Sequence, residues 1–232
     1  MFVLTEELRR ELLGFDTPTV CNALEFLAPA RRGYGFTTEP LFCLRPAQRT
    51  VGVARTATIR SAHPNDVTGD AARELSDAYY AYIDAGPKPS VVVIHDADQR
   101  PGYGAFWGEV NSAIHKGLGC ECLITDGSVR DLPDVAEGFQ MLAGRVGPSH
   151  AHVHVVDFGR PVDVAGMRVR DGDLIHADQH GAVVIPHDVA ARVAPAARGL
   201  QARERVIIEA ARAPGFNIEK LRAAQKKAGD VD

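Results

Sequence analysis

Three charged residues that could do chemistry stand at the two ends of one stretch, GEVNSAIHKGLGCECLITDGSVRD (108–131). Glu109 opens it, Arg130 and Asp131 close it, and twenty residues lie between the glutamate and the arginine. Two carboxylates are hard oxygen donors of the kind Mg²⁺ or Mn²⁺ takes, with water in the remaining positions. An arginine fork matches a carboxylate or an enolate oxygen. A cation, a guanidinium and free backbone amides together would hold a 2-oxo acid and stabilise its enolate.

The elements between these charges decide whether they meet. The spacing predicts a helix over about 109–117, a reversal at Gly117 and Gly119, and a strand over 120–125 (CECLIT). Nine helical steps rise about 14 Å, and a six-residue strand covers a similar distance at about 3.3 Å per residue. A helix out and a strand back would return the turn DGSVRD to the helix start. There the first amides, around Val110 and Asn111, lack intrahelical acceptors and carry the positive end of the dipole. Spacing alone leaves a second reading open. The dipole by itself favours an acid in a first helical turn, and Arg-Asp in a loop is often a local ion pair.

Around this stretch the chain reads as mixed α/β. Helices are expected over residues 5–13, from Thr17 with Pro18 just inside its start, and over 66–85. VGVARTATIRS (51–61) alternates like a strand and SVVVIHDAD (90–98) reads as a buried one. Residues 28–50 look like an excursion loop, and 151–186 are dense in β signal. Two helices close the chain near 188–212 and 217–228, the second capped by Asn217. No repeat, linker or low-complexity tract divides the 232 residues, so one domain over 1–232 is expected, with a helical tail over about 188–232.

Two motifs, supported by a third, carry a family resemblance. GEVNSAIHKGLGCECLITDGSVRD has an acid, twenty residues and then Arg-Asp, with Gly108, Ala113, Gly117, Gly119 and Gly127 in the matching places. VRDGDLIHADQHGAVVIP (169–186) fits V-x-x-G-D-x-x-x-A-D-x-x-G-V-V-x-I-P, allowing Ala182 for a valine, and DTPTVCNAL resembles an opening helix. The chain thus resembles the family of the 4-hydroxy-4-methyl-2-oxoglutarate / 4-carboxy-4-hydroxy-2-oxoadipate aldolases. That family also contains the inhibitors of ribonuclease E called regulator of ribonuclease activity A.

The resemblance implies a β/β/α swivelling-type domain with helical N- and C-terminal extensions, assembled as a homotrimer or homohexamer with sites between subunits. It makes Asp131 the direct ligand of Mg²⁺ or Mn²⁺ and Glu109 the acid that holds water on the metal. Arg130 would bind the pyruvoyl part, and the Val110 and Asn111 amides its carboxylate. Two departures stand out: Glu109 is one methylene longer than the family's usual aspartate, and Asn22 replaces an aspartate. A further carboxylate is expected from a neighbouring subunit, with Glu204 and Glu209 as candidates. The implied activity is a class II carbon–carbon lyase that cleaves a 4-hydroxy-2-oxo acid to pyruvate and a second 2-oxo acid. Oxaloacetate decarboxylation would follow from the same electrostatics. The alternatives are a non-catalytic regulator of ribonuclease activity and an enzyme acting on a different 2-oxo acid.

Other signals are weaker. His150, His152 and His154 would share a face if they lay on one strand, where two could ligate zinc, although no partner ligand is placed by the sequence. His176 and His180 flank Asp178 and read as hairpin caps or as pocket lining. Cys120 and Cys122 point to one face of an alternating strand and read as structural. Phe106 and Trp107 read as a staple or pocket wall, and GYGAFWG has the wrong spacing for a dinucleotide-binding turn. A net charge of −4 without a basic stripe argues against a nucleic-acid partner. The absence of a signal-peptide core or a membrane-length apolar run argues against a membrane and for the cytoplasm.

Overall fold

The run SVVVIHD is apolar almost throughout because both of its faces are covered. Val91 and Val93 join one buried cluster, while Val92 and Ile94 join another on the opposite side of the sheet. Such continuous runs mark strands at the centre of a parallel sheet. The computed structural model describes residues 2–231; Met1 and Asp232, the ends of the expected 1–232 domain, lie outside the described residues.

In chain order come α1 (Glu6–Leu13), α2 (Thr17–Leu27), β1 (Phe42–Cys43), β2 (Thr50–Arg60), α3 (Gly69–Asp84), β3 (Ser90–Asp96) and β4 (Ala105–Trp107). Then follow α4 (Glu109–Gly117), β5 (Cys120–Val129), β6 (Gln140–Val146), β7 (His154–Phe158), β8 (Val162–Val164) and β9 (Met167–Val169). The chain closes with β10 (Leu174–Asp178), β11 (Gly181–Ile185), α5 (Ala190–Arg212) and α6 (Ile218–Gly229). The fold is α/β with helical extensions at both ends, as expected.

One sheet runs β1-β6-β5-β3-β2-β10-β11, with β4 on β5 and β7 on β2. Its centre is parallel, since β2 pairs β3, β3 pairs β5 and β5 pairs β6 in that sense. The β8–β9 hairpin covers one face through Val162, Val164, Met167 and Val169. Tyr79 and Ile83 of α3, with Trp107 and Phe139, fill the other. A third cluster seats α1, α2 and α5 on the β10–β11 end through Leu12, Val20, Leu24, Val193 and Ile185. Among the described residues no helix is long and apolar enough to cross a membrane.

Local readings need correction in four places. DGSV is not a turn but the second half of β5, which carries a register irregularity between Thr125 and Ser128. An irregularity of this kind bends a strand without ending it. Cys120 and Cys122 do not share a face: Ser90 pairs Cys120 while Val91 pairs Cys122, so Glu121 is an extra residue and the alternation flips. Cys120 therefore packs with Trp107 and Cys122 with Leu142. His150 and His152 precede β7, and only His154 lies on it. Finally, β2 is buried along nearly its whole length rather than on alternate residues, because both its faces are covered.

Candidate active site

The two ends of the stretch 108–131 do come together, by a different route from the simple helix-out and strand-back. Strand β4 runs parallel to the last residues of β5, with Ala105 opposite Ser128 and Trp107 opposite Val129. The Arg130 N–H donates to the Trp107 carbonyl at 2.9 Å. Gly108, the next residue, therefore lies beside Arg130 and Asp131. Trp107 anchors this junction, fully buried and stacked on Phe139 with ring centroids 5.9 Å apart.

Gly108 is the N-cap of α4 and has no side chain with which to cap it. The helical ladder begins with the Ser112 N–H on the Gly108 carbonyl at 3.0 Å. The amides of Glu109, Val110 and Asn111 lie before it, which is the general condition of a helix start. Asp131 Oδ2 faces this end, 3.4 Å from the Glu109 N–H. A side chain at position 108 would run into that carboxylate, so the approach depends on glycine. Asp131 adopts φ 52° and ψ 39°, a left-handed conformation that non-glycine residues rarely take and that clusters at functional sites.

Arg130 completes the group. Its Nε lies 3.4 Å from Asp131 Oδ2, close enough for an ion pair. The geometry is not that of a hydrogen bond, and this buried N–H has no other acceptor among the described residues. Glu109 and Val110 are exposed, and Arg130 and Asp131 are partly so. The turn thus presents two carboxylates, a guanidinium and unengaged amides to solvent.

Both carboxylates offer hard oxygens, so the donor set fits a hydrated Mg²⁺ or Mn²⁺. Among the described residues no group of three or more His, Cys, Asp or Glu is arranged to hold a metal ion. A cation here would rest on Glu109, Asp131, water and whatever a second molecule adds.

The remaining expected residues lie elsewhere. Glu204 and Glu209 are exposed on α5, which packs on α1, α2 and α6, and Asn22 is exposed on α2. His176 is buried, with Nδ1 3.0 Å from Thr17 Oγ1 and Nε2 3.1 Å from the Phe15 carbonyl. Asp178 accepts the Thr17 N–H and, at the β10–β11 turn, the His180 N–H, both at 2.8 Å. His180 thus caps the β10–β11 hairpin, whereas His176 ties β10 to the junction of α1 and α2. His150 contacts the Ala105 carbonyl through Nδ1 at 3.1 Å, and His154 the His152 carbonyl at 2.7 Å.

Sequence reasoning missed two arrangements. The Asn111 side chain bridges α3 and β4. His95 Nδ1 lies 2.6 Å from Asp126 Oδ2, across the sheet from α4, and that bond raises the imidazole pKa. Reading DGSV as a turn hid Asp126, because a strand residue opposite His95 is visible only once β3 and β5 pair.

The RraA-like family, Aldolase/RraA, matches residues 17–184. The "Putative 4-hydroxy-4-methyl-2-oxoglutarate aldolase" of Halalkalibacterium halodurans is 27% identical over 210 residues, covering 88% of this chain and 91% of that protein. Among solved structures, an uncharacterized protein from Pseudomonas syringae pv. tomato is similar at a TM-score of 0.72 and 26% identity, over 96% of both chains. Streptomyces coelicolor RraAS2, an unusual member of the RNase ES inhibitor RraA protein family, matches at 0.68 and 24% identity. It covers 87% of this chain and 96% of its own, and at that identity it supports the fold alone.

Proposed function

The chain belongs to the RraA-like family, and from that premise we propose that it is a divalent-metal-dependent lyase. Its substrate would be a 4-hydroxy-2-oxo acid, cleaved to pyruvate and a second 2-oxo acid. The observation that carries the reading is the convergence of Glu109, Arg130 and Asp131 on the uncapped start of α4. An ordinary surface ion pair needs neither a left-handed aspartate nor a glycine cap pressed against it. A non-catalytic regulator, the rival reading, has no use for such a group.

Asp131 and Glu109 would hold Mg²⁺ or Mn²⁺, Glu109 through water, and the cation when bound supplies Lewis-acid polarisation of the 2-oxo group. The Val110 and Asn111 amides take the C1 carboxylate. Arg130 sits beside the 2-oxo oxygen and compensates the charge that grows there as the C3–C4 bond breaks. Glu109 orients the water that removes the 4-hydroxyl proton, so that C4 becomes a ketone. The electron pair of the broken bond passes to the pyruvate enolate, which is protonated at C3 to give pyruvate. Oxaloacetate would lose CO₂ through the same enolate.

The exposure of Glu109 and Val110 is compatible with a homotrimer or homohexamer in which a neighbour covers the site, with Glu204 or Glu209 as the carboxylate it adds. Four free cysteines suit a cytoplasmic address.

The test is pyruvate release from 4-hydroxy-4-methyl-2-oxoglutarate, 4-carboxy-4-hydroxy-2-oxoadipate and oxaloacetate, with Mg²⁺ or with EDTA. Metal-dependent turnover of at least one is expected. Turnover that survives EDTA, or that survives Asp131→Ala, would refute the mechanism. Failure on all three with intact metal binding would refute the substrate assignment and leave a family enzyme on another 2-oxo acid.

A further inference from the structure

Asn111 occupies the first turn of α4, and its side chain is held at both ends. Nδ2 donates to the Phe106 carbonyl at 2.5 Å, and Oδ1 accepts from the Tyr80 hydroxyl of α3 at 2.8 Å. Its backbone is held as well. The Asn111 carbonyl lies 2.7 Å from His115 Nδ1, and His115 Nε2 lies 2.9 Å from the Tyr79 hydroxyl. A carbonyl accepts only, so Nδ1 carries the proton and Nε2 takes the tyrosine's. Burial pushes the His115 pKa down to about 4, which keeps the ring neutral in this pattern near pH 7.

Tyr80 thus grips Asn111 directly, and Tyr79 reaches the Asn111 carbonyl through His115, so two consecutive residues of α3 hold the turn whose Val110 and Asn111 amides stand unengaged. A helix start without a side-chain cap ordinarily frays. Here the first turn is instead fixed from behind, and the front of its amides is left open. We propose that Tyr80 and the Asn111 side chain are positioning residues that aim the α4 amides at the carboxylate of a 2-oxo acid. The inference rests on reading this turn as a 2-oxo acid site. Neither side chain is catalytic in this account, since each acts through the backbone it holds.

The consequence is a particular kinetic signature. The C1 carboxylate keeps its charge from substrate to transition state, so its receptor contributes about equally to both. Loosening that receptor raises KM and leaves kcat nearly alone. Tyr80→Phe removes one hydrogen bond and is expected to raise KM about three- to ten-fold, with kcat within about two-fold. Asn111→Asp separates the readings more sharply. The exchange keeps an acceptor for the Tyr80 hydroxyl but sets a carboxylate oxygen against the Phe106 carbonyl, so a purely structural role predicts a lower Tm with KM unchanged. Beside an incoming carboxylate the same charge repels, so KM is expected to rise at least about thirty-fold.

The experiment measures KM, kcat and Tm for full-length wild type, Tyr80→Phe and Asn111→Asp, with pyruvate binding by calorimetry in Mg²⁺ as a second readout. Tyr82→Phe is the control. It removes a hydroxyl from the same helix, one bonded to Asp171 and to the Thr56 N–H, away from α4. That variant is expected to lower Tm without moving KM. Unchanged KM and pyruvate affinity in both test variants, or losses confined to kcat and Tm, would overturn the clamp while leaving the 2-oxo acid site standing. A wild type that neither releases nor binds pyruvate would overturn both.

Discussion

Two aspartates in this molecule reach from a strand end to the N-terminus of a helix, and they are held in opposite ways. Asp178, at the end of β10, accepts the Thr17 N–H of α2 at 2.8 Å and the His180 N–H at 2.8 Å, and its side chain is 4% exposed. Asp131, just past β5, meets the Glu109 N–H of α4 only at 3.4 Å and is 35% exposed. Helix α2 has a second cap in Asp16, which takes the Thr19 N–H at 2.9 Å, whereas α4 has only Gly108. Around Asp178 each donor has found its acceptor; around Asp131 the Val110 and Asn111 amides have no acceptor among the described residues, and the buried Arg130 Nε has only its ion pair. Polar groups satisfied within the chain hold structure together. Groups left loose at a strained turn are available to a ligand.

Exchanging the two sites is the largest test of that contrast. Asp131→Ala is expected to lower turnover at least about a thousand-fold, given the size of electrostatic contributions at such sites. Its Tm should stay within about 2 °C of wild type, since little internal bonding is lost. Asp178→Ala strands buried donors at a cost of about 2–4 kcal/mol. In a chain of this length that lowers Tm by roughly 5–15 °C, while the folded fraction keeps its kcat. Paired melting curves and pyruvate assays decide it, and a low Tm for Asp131→Ala with normal turnover would invert the comparison.

A second test presses on the caps. Gly108→Ala pushes a methyl group against the Asp131 carboxylate. A displacement of about 1 Å in a catalytic group costs on the order of a hundred-fold, and that loss is expected here. Asp16→Ala removes a side-chain cap and costs about 1 kcal/mol in stability, with activity unchanged.

The contrast explains which parts of the molecule were legible in the sequence. Helix α4 was readable within about a residue, because an acid at its start and Gly117–Gly119 at its end are local signals. The meeting of Glu109 with Arg130 was expected, but through a shorter strand. The real agent, β4 lying along the end of β5, is a non-local pairing that no three-residue run such as Ala105–Trp107 announces. The Glu121 bulge and the Thr125–Ser128 irregularity were invisible for the same reason, since each is defined against a neighbouring strand. The Tyr80–Asn111 bridge joins two helices and leaves no periodic trace. The family motifs located the charged residues, while the satisfaction of Asp178 and the openness of Asp131 had to be seen in three dimensions.

pH sharpens the comparison from the stability side. Burial of His176 lowers its pKa below 6.5, and burial of His115 lowers that ring's to about 4. A histidine with a depressed folded pKa binds protons more readily when unfolded. Stability is therefore full above about pH 6.5 and falls as pH drops from there toward the folded value. For His115 the interval corresponds to about 3 kcal/mol at roughly 1.4 kcal/mol per unit. Asp178 acts lower down. Burial raises its pKa, but hydrogen bonds from Thr17 and His180 outweigh that and hold it below 3.8, so its contribution is lost only as pH falls through that lower value. Denaturant midpoints between pH 7.5 and 4 should decline, and His176→Gln should flatten the part due to that ring. A flat profile in the wild type would mean that these imidazoles are not buried neutral.

The smallest expected change in turnover belongs to Glu109→Asp, and it separates geometry from charge. Glu109→Asp keeps the carboxylate beside the α4 amides but shortens its arm by one methylene. If the acid acts by orienting water on a hydrated cation, the shorter arm changes the angle of that water and leaves the charge alone. The expected result is a shift of a few-fold in kcat, with a changed ratio of Mn²⁺ to Mg²⁺ activity, because Mg²⁺ demands stricter octahedral geometry than larger cations. Glu109→Gln removes the charge and should cost about 10²–10⁴-fold, the range of a general acid–base contribution. A loss in Glu109→Asp with none in Glu109→Gln would mean that reach, not charge, is what position 109 supplies. No loss in either would return Glu109 to a solvated first-turn acid, and the open half of the comparison would then rest on Arg130 and Asp131 alone.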